Sequence, residues 1–207
     1  PMPGLENVNR YSGSKGTLEG WREAWKLLIN KRMYSMLTMC LDSFGCPLMQ
    51  FAPKECDGFV WHICSTGSGT GKTLALSLKA AVWGHPKHYR TSKSTSAVAM
   101  QNHAGLLNSL PMLIDETTSK ARENPEWAPG FTFDVTEGKG KDRMESQSNT
   151  LRINYIMWCN ITVSSGNASV VDKLLQLKST ANGELNRILE MSEIGRASCR
   201  ERVSSPV

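Results

Sequence analysis

The chain has 207 residues, of which 40% are hydrophobic and 21% charged. That balance belongs to an ordinary globular protein with enough chain for one core, and it excludes a disordered or collagen-like polymer. No apolar run approaches the ~20 residues a membrane-crossing helix needs, and a formal net charge of +5 is compatible with a polyanionic partner without specifying one.

Pro1–Lys15 is rich in Gly, Ser and Asn and reads as a linker or the remnant of an upstream region, with a boundary at 1–16. Because the chain opens on Pro1 instead of Met, its natural start is expected to lie upstream. Trp21, Trp25, Leu27, Leu28, Met33 and Leu37 then recur at helical spacing, so one or two helices are predicted over Thr17–Leu41, capped by Thr17 and broken by Gly45 and Pro47. Gly58–Cys64 is a short apolar run rich in β-branched and aromatic residues, the pattern of a buried strand. A helix is predicted from Lys72 to about Val82, ended by Gly84 and Pro86. Ser96–Asn108 follows as a helix and Leu110–Ile114 as a second buried strand. Ala121–Glu145, rich in Gly, Pro and charge, reads as a long surface excursion. Asn154–Ser164 reads as a third strand, and Val170–Leu177 and Gly183–Leu189 as helices. This alternation predicts an α/β fold with a mostly parallel sheet. The core is expected over 17–192, truncated at its C-terminal end, because Glu193–Val207 resembles translated vector or adapter sequence. The six cysteines include no Cys-x-x-Cys pair, so buried reduced thiols are expected and a structural metal site is not.

Between the first strand and its helix lies Thr66-Gly67-Ser68-Gly69-Thr70-Gly71-Lys72-Thr73-Leu74. A triphosphate needs backbone N–H groups converging on its oxygens, and glycines provide the necessary backbone freedom and close approach. The next helix would direct its N-terminal dipole at the phosphates, Lys72 would reach the β- and γ-phosphates, and the Thr73 hydroxyl would ligate Mg²⁺. Thr66 departs from the strict P-loop pattern, which has Gly there. A flexible Gly/Ser linker is the competing explanation, and the strand before and helix after argue against it.

Such a site needs a carboxylate at a strand end for the metal and a neighbour to activate water. Asp115 and Glu116, directly after Leu110–Ile114, fill those roles as a candidate Walker B motif. The third strand ends in Ser164-Ser165-Gly166-Asn167, where Ser165 or Asn167 would sense the γ-phosphate or the attacking water. Arg187, before Ile188-Leu189, stands where ring ATPases often place the arginine finger that completes a neighbour's site.

Ser65–Leu76, Ala80–Gly84 with its Trp83-Gly84 pair, Asp115-Glu116, Gly138-Lys-Gly-Lys-Asp-Arg143 and Ser164–Asn167 together resemble family 927 of the domains of unknown function. The resemblance runs from about Trp21 to Met191. It implies a P-loop NTPase of the AAA+ and superfamily-three helicase type, a three-layer α/β sandwich with an N-terminal helical segment. Such proteins serve phage and mobile-element replication, often beside primase modules. The implied activity is ATP hydrolysis with Mg²⁺ by a DNA helicase or primase-helicase, working as a homo-oligomeric ring on single-stranded DNA in a bacterial or phage-infected cytoplasm, away from membranes. Lys139, Lys141 and Arg143 read alone as a solvated charged loop; the resemblance makes them candidate contacts to the DNA backbone. A DNA-packaging terminase, another P-loop ATPase, and a module that binds nucleotide without turnover are the alternatives.

Overall fold

The computed structural model describes residues 13–52, 58–67, 69–91, 95–117, 127–141, 143–144, 151–152, 156–177 and 182–192. At its centre Gly58–Cys64 forms β1, whose Val60, Trp61, Ile63 and Cys64 are all buried. An apolar run without alternation suits a strand covered on both faces. Four parallel strands join it: Arg90–Thr91 (β2), Met112–Ile114 (β3), Asn160–Gly166 (β6) and Ile188–Ser192 (β7), in the order β2-β3-β6-β1-β7. β1 is flanked by β6 and β7, with Val60 in register with Thr162 on one side and Ile188 on the other. Arg143–Met144 (β4) and Leu151–Arg152 (β5) make a separate antiparallel ribbon.

Parallel strands must be joined by crossovers, and these are right-handed. Helix α3 (Lys72–Ala80) carries the chain outward from β1 to the edge strand β2, with the short α4 (Pro86–Tyr89) before it. Helices α5 (Ala97–Leu107), α6 (Trp127–Thr136) and α7 (Val170–Leu177) make the steps in the opposite direction. One handedness with two directions puts α3 on one face and α5–α7 on the other. The packing agrees: α2 (Tyr34–Gly45) and α4 pack on α3, while α6 packs on both α5 and α7. The result is a three-layer α/β sandwich with an N-terminal helical segment.

That segment is two helices, α1 (Leu18–Asn30) and α2. Thr17 caps α1, its Oγ1 accepting from Gly20 N at 3.1 Å, and Glu19 lies in the first turn where the dipole favours it. α2 runs on past the expected end at Leu41 to Gly45, and a 3₁₀ turn over Cys46–Phe51 takes Pro47 near its start, where no N–H is needed. Cys46 ties this layer to the sheet, its Sγ accepting from Ile161 N at 3.1 Å. Asp42 forms an ion pair with Lys79 of α3, a lysine with a fully buried side chain. Burial pulls the Lys79 ammonium below its ordinary value, and the adjacent Asp42 carboxylate works against that shift. Ser43 Oγ donates to the Lys79 carbonyl at 2.9 Å and Trp83 Nε1 donates to the Ser43 carbonyl at 3.0 Å, so α2 and α3 are pinned together.

Three sequence-derived elements change. Within the expected surface excursion Ala121–Glu145, Trp127–Thr136 is helix α6, which buries Phe131 and Val135; Trp158 Nε1 donates to the Val135 carbonyl at 2.8 Å. The third strand is shifted from Asn154–Ser164 to Asn160–Gly166. Gly183–Leu189 is not one helix: Asn182–Leu185 is a single turn (α8), and the chain then enters β7 beside β1. A short, half-exposed edge strand has no clear alternation, which is why Ile188-Leu189 passed for helix. The segments 1–12 and 193–207 lie outside the described residues. Cys40, Cys46 and Cys64 are buried, and burial pushes the Cys40 thiol up to about 11 and Cys46 to about 12.

Two stability measurements follow from the buried polar groups. Asp42→Ala strands a buried ammonium and should cost about 3–5 kcal/mol in denaturant unfolding, while the paired change Asp42→Leu with Lys79→Met recovers most of that loss. The second concerns His103, whose pKa burial lowers from 6.5 to about 4. The unfolded chain binds that proton first as pH falls, so the stabilisation is complete above the ordinary imidazole value and is lost between there and about pH 4. Thermal unfolding at about pH 7 and about pH 4.5 should show this fall, and His103→Gln should reduce it.

Candidate functional site

All five strands of the main sheet run the same way, so their carboxyl ends share one edge. Three of these ends converge: the loop Ser65–Gly71 after β1, Asp115–Thr117 after β3, and Gly166-Asn167 at the tip of β6. Ligands of open parallel sheets bind along this edge, where strand order reverses.

The loop turns through Gly69 and Gly71, with φ of +73° and +93°. Both lie in the left-handed region that side chains other than those of Gly, Asn and Asp rarely adopt. Gly71 is the N-cap of α3, with Met36 of α2 packed so closely behind that a Cβ there would meet its methyl at 2.7 Å. Lys72 folds over the loop, its Nζ donating to the carbonyls of Ser65 at 3.1 Å and Gly67 at 3.0 Å and to Thr70 Oγ1 at 3.4 Å. These partners are neutral oxygens, so nothing in the loop answers the ammonium's charge and an anion can. Ser68 lies outside the described residues. Thr66 and Leu74 are exposed, as is Thr73 at the helix start.

Asp115 is the junction. Its Oδ1 accepts from Ser165 Oγ at 2.8 Å and faces Thr73 Oγ1 at 3.4 Å, while Oδ2 accepts from Arg90 Nη1 at 2.8 Å. Thus residues from β2, β3, β6 and the start of α3 meet on one carboxylate. Glu116 follows with φ of +60°, a conformation costing a non-glycine residue about 1 kcal/mol. Its backbone N donates to Ser165 Oγ at 3.3 Å, and its Oε2 accepts from Asn167 Nδ2 at 3.3 Å. The two sensor candidates therefore occupy different places: Ser165 is buried against Asp115, whereas Asn167 is exposed beside the Glu116 carboxylate. Below them His62 spans β1 and β6, with Nε2 3.1 Å from the Ala168 carbonyl and Nδ1 2.8 Å from Ser164 Oγ. Burial lowers its pKa and the Ala168 carbonyl opposes that, so the neutral ring donates from Nε2 and accepts at Nδ1.

The donor set fits a hard cation held together with phosphates. A carboxylate and two hydroxyls are oxygen ligands of the kind Mg²⁺ prefers, and Mg²⁺ typically takes only one or two protein carboxylates. No group of three or more His, Cys, Asp or Glu side chains suited to a metal occurs among the described residues.

The other predicted residues lie elsewhere. Arg187 precedes β7, and its carbonyl accepts from Val60 N at 2.8 Å near the amino end of β1. Its guanidinium lies 4.6 Å from the centre of the Phe133 ring, a cation–π contact. It is thus about 17 Å of strand away from the loop Ser65–Gly71 of its own chain. Lys139 and Lys141 are also at the amino edge: Lys139 bridges to Met157 ahead of β6, and Lys141 Nζ pairs with Asp134 at 2.6 Å. In the β4–β5 ribbon Arg143 is in register with Arg152, a basic residue the sequence reading passed over. Arg90 was missed too, because a two-residue strand carries no pattern that marks its Arg as the partner of Asp115.

Fold and site geometry define a P-loop NTPase-like α/β protein. The chain belongs to the family described as Domain of unknown function (DUF927), whose model matches residues 5–154. Among solved structures it is similar to "SCCmec type IV Cch - active helicase", with a TM-score of 0.65 at 18% identity, covering 90% of this chain and 33% of that one. The likeness carries the fold, and the present chain spans about a third of that helicase's length. No curated protein matches the chain.

The loop geometry predicts that Gly69→Ala and Gly71→Ala each lower stability by about 1–2 kcal/mol, the cost of a left-handed alanine. Gly45→Ala, where an added Cβ meets nothing within 4 Å, should be close to neutral; thermal unfolding of the three variants checks the contrast.

Proposed function

We propose that this chain is the ATP-hydrolysing motor core of a phage or mobile-element DNA-replication protein, a helicase or primase-helicase. The observation that carries the reading is the meeting of Thr73 Oγ1 and Asp115 Oδ1 at 3.4 Å across 42 residues of sequence, beside a glycine loop whose lysine has neutral partners among the described residues. Backbone N–H groups of Gly67–Thr73 and the α3 dipole would hold the phosphates, and Lys72 would turn from the loop carbonyls to the β- and γ-phosphate oxygens. Thr73 and Asp115 would hold Mg²⁺, directly or through water. Bound there, Mg²⁺ neutralises charge on the phosphate oxygens. Glu116 would orient and deprotonate the attacking water, with Asn167 restraining its carboxylate and Ser165 holding Asp115.

The DNA half of the proposal rests on the family, on the likeness to a helicase and on the basic ribbon. Lys139 lies at the end of the sheet opposite the glycine loop, and Arg143 and Arg152 are paired in the β4–β5 ribbon. Lys139, Lys141, Arg143 and Arg152 would follow the backbone of single-stranded DNA, in a salt-sensitive and sequence-tolerant way. Arg187 is too far from its own chain's loop to serve it, so its proposed role as an arginine finger requires a second copy in a ring. Among the described residues no helix is long and apolar enough to cross a membrane, and the proposed setting is the cytoplasm of a bacterial or phage-infected cell.

The test is nucleotide turnover with and without single-stranded DNA. Lys72→Ala should abolish ATP binding. Glu116→Gln should bind ATP yet hydrolyse it about 10²–10⁴-fold more slowly, the usual contribution of a general base. Turnover indifferent to DNA would remove the motor reading, and ATP binding without turnover in the assembled full-length protein would favour a regulatory nucleotide module.

A further inference from the structure

The Asp115 carboxylate already has a cationic partner, which the proposed chemistry does not use. Arg90 Nη1 donates to its Oδ2 at 2.8 Å, and both side chains are about three-quarters buried, at 23% and 29% exposure. The contact is built into the sheet: Arg90 is in register with Leu113 and Thr91 with Ile114, and Thr91 Oγ1 donates to the Leu113 carbonyl at 3.0 Å. Tyr89, just before it, is fully buried and anchors the backbone. Arg90 Nε is itself buried and has no hydrogen-bond partner among the described residues. The guanidinium is thus held at Asp115 by one ion-paired hydrogen bond, on a strand whose register is set by β3.

A cation arriving at this site meets that fixed charge. Asp115 and Glu116 are adjacent carboxylates, and Oδ1 of Asp115 is the oxygen that faces Thr73. Without a positive neighbour, Asp115 would present its full negative charge to a divalent cation at Oδ1. With Arg90 on Oδ2, one charge is answered beforehand, and a guanidinium stands within a few ångströms of any ion at Oδ1, where water screens it only in part. Arginine is suited to this because it stays charged and its planar fork holds direction.

We propose that Arg90 is a positioning residue that restrains Asp115 and suppresses Mg²⁺ binding in the absence of nucleotide, so that the metal enters with the phosphates. This rests on the nucleotide reading of the same site. Arg90 fixes which carboxylate oxygen faces Thr73, and its charge makes the phosphate oxygens a required part of the cation's ligand set.

The test measures binding, apart from turnover, on the full chain. A fluorescent ADP is titrated with Mg²⁺ in the wild type and in Arg90→Gln, Arg90→Met and Arg90→Lys. The two neutral variants guard against either one failing to fold. Removing the charge should lower the Mg²⁺ concentration at half-saturation by roughly tenfold. It should also make Mg²⁺ binding without nucleotide measurable by calorimetry. Arg90→Lys, which keeps the charge, should stay near the wild type. A merely structural role would weaken binding and raise the Mg²⁺ requirement, so an unchanged or raised half-saturation in the neutral variants overturns the inference. A lysine variant matching the neutral ones overturns the charge argument. Wild-type protein that binds no nucleotide at any Mg²⁺ concentration overturns the nucleotide reading, and this inference with it. Wild-type binding combined with an unshifted Arg90→Gln defeats the inference alone.

Discussion

Parallel pairing of every strand in the main sheet governs the rest of this molecule. Each parallel neighbour must be reached by a crossover helix, and the fixed hand of those crossovers assigns the helices to two faces according to the direction of travel. The same pairing gathers all strand ends of one polarity on one edge. The loop Ser65–Gly71, Asp115-Glu116 and Ser165–Asn167 are far apart in sequence and meet because β1, β3 and β6 terminate together. Placing β1 between β6 and β7 also buries it on both faces and on both sides, which suits its unbroken apolar run. The loop that follows it is thereby held on a rigid base.

The opposite edge has a different character. The residues there are Arg187, stacked on Phe133, and Lys139 with Lys141, which pairs with Asp134. Their separation from the glycine loop is a property of strand length, roughly 20 Å for β1. If nucleotide is handled at one edge and a polyanion at the other, the sheet itself connects them. His62 illustrates such a connection, joining β1 and β6 beneath the loops at the first edge.

Polar burial is concentrated where elements must be held in register. Lys79 with Asp42 pins α3 to the N-terminal helices, and Met36 of that same layer backs Gly71. Arg90 with Asp115 pins the edge strand to the site. A buried ion pair seldom adds much net stability over an apolar packing, so Lys79 with Asp42 acts on geometry more than on stability. Glu116 fits that account, since its left-handed backbone is held by contacts to Ser165 and Asn167.

Much of this was legible in the residues themselves. Glycine spacing with Lys-Thr after an apolar run marks the loop and the start of its helix, because Gly69 and Gly71 take the left-handed φ that glycine favours. Asp115-Glu116 at a strand end was visible for the same reason. Helix α6 was not, since Gly, Pro and charge around it hide two buried positions, Phe131 and Val135, that matter only once β1 and Trp158 are in place. Strand β7 escaped because its alternation is weak and its identity comes from pairing with β1. Local chain chemistry thus determined the loop, the class of fold and the acidic pair. The tertiary structure alone decided that Ser165 contacts Asp115 while Asn167 contacts Glu116, that Arg90 reaches the site at all, and that Arg187 cannot reach its own loop, because strand order and register set those distances and no short stretch of sequence encodes them.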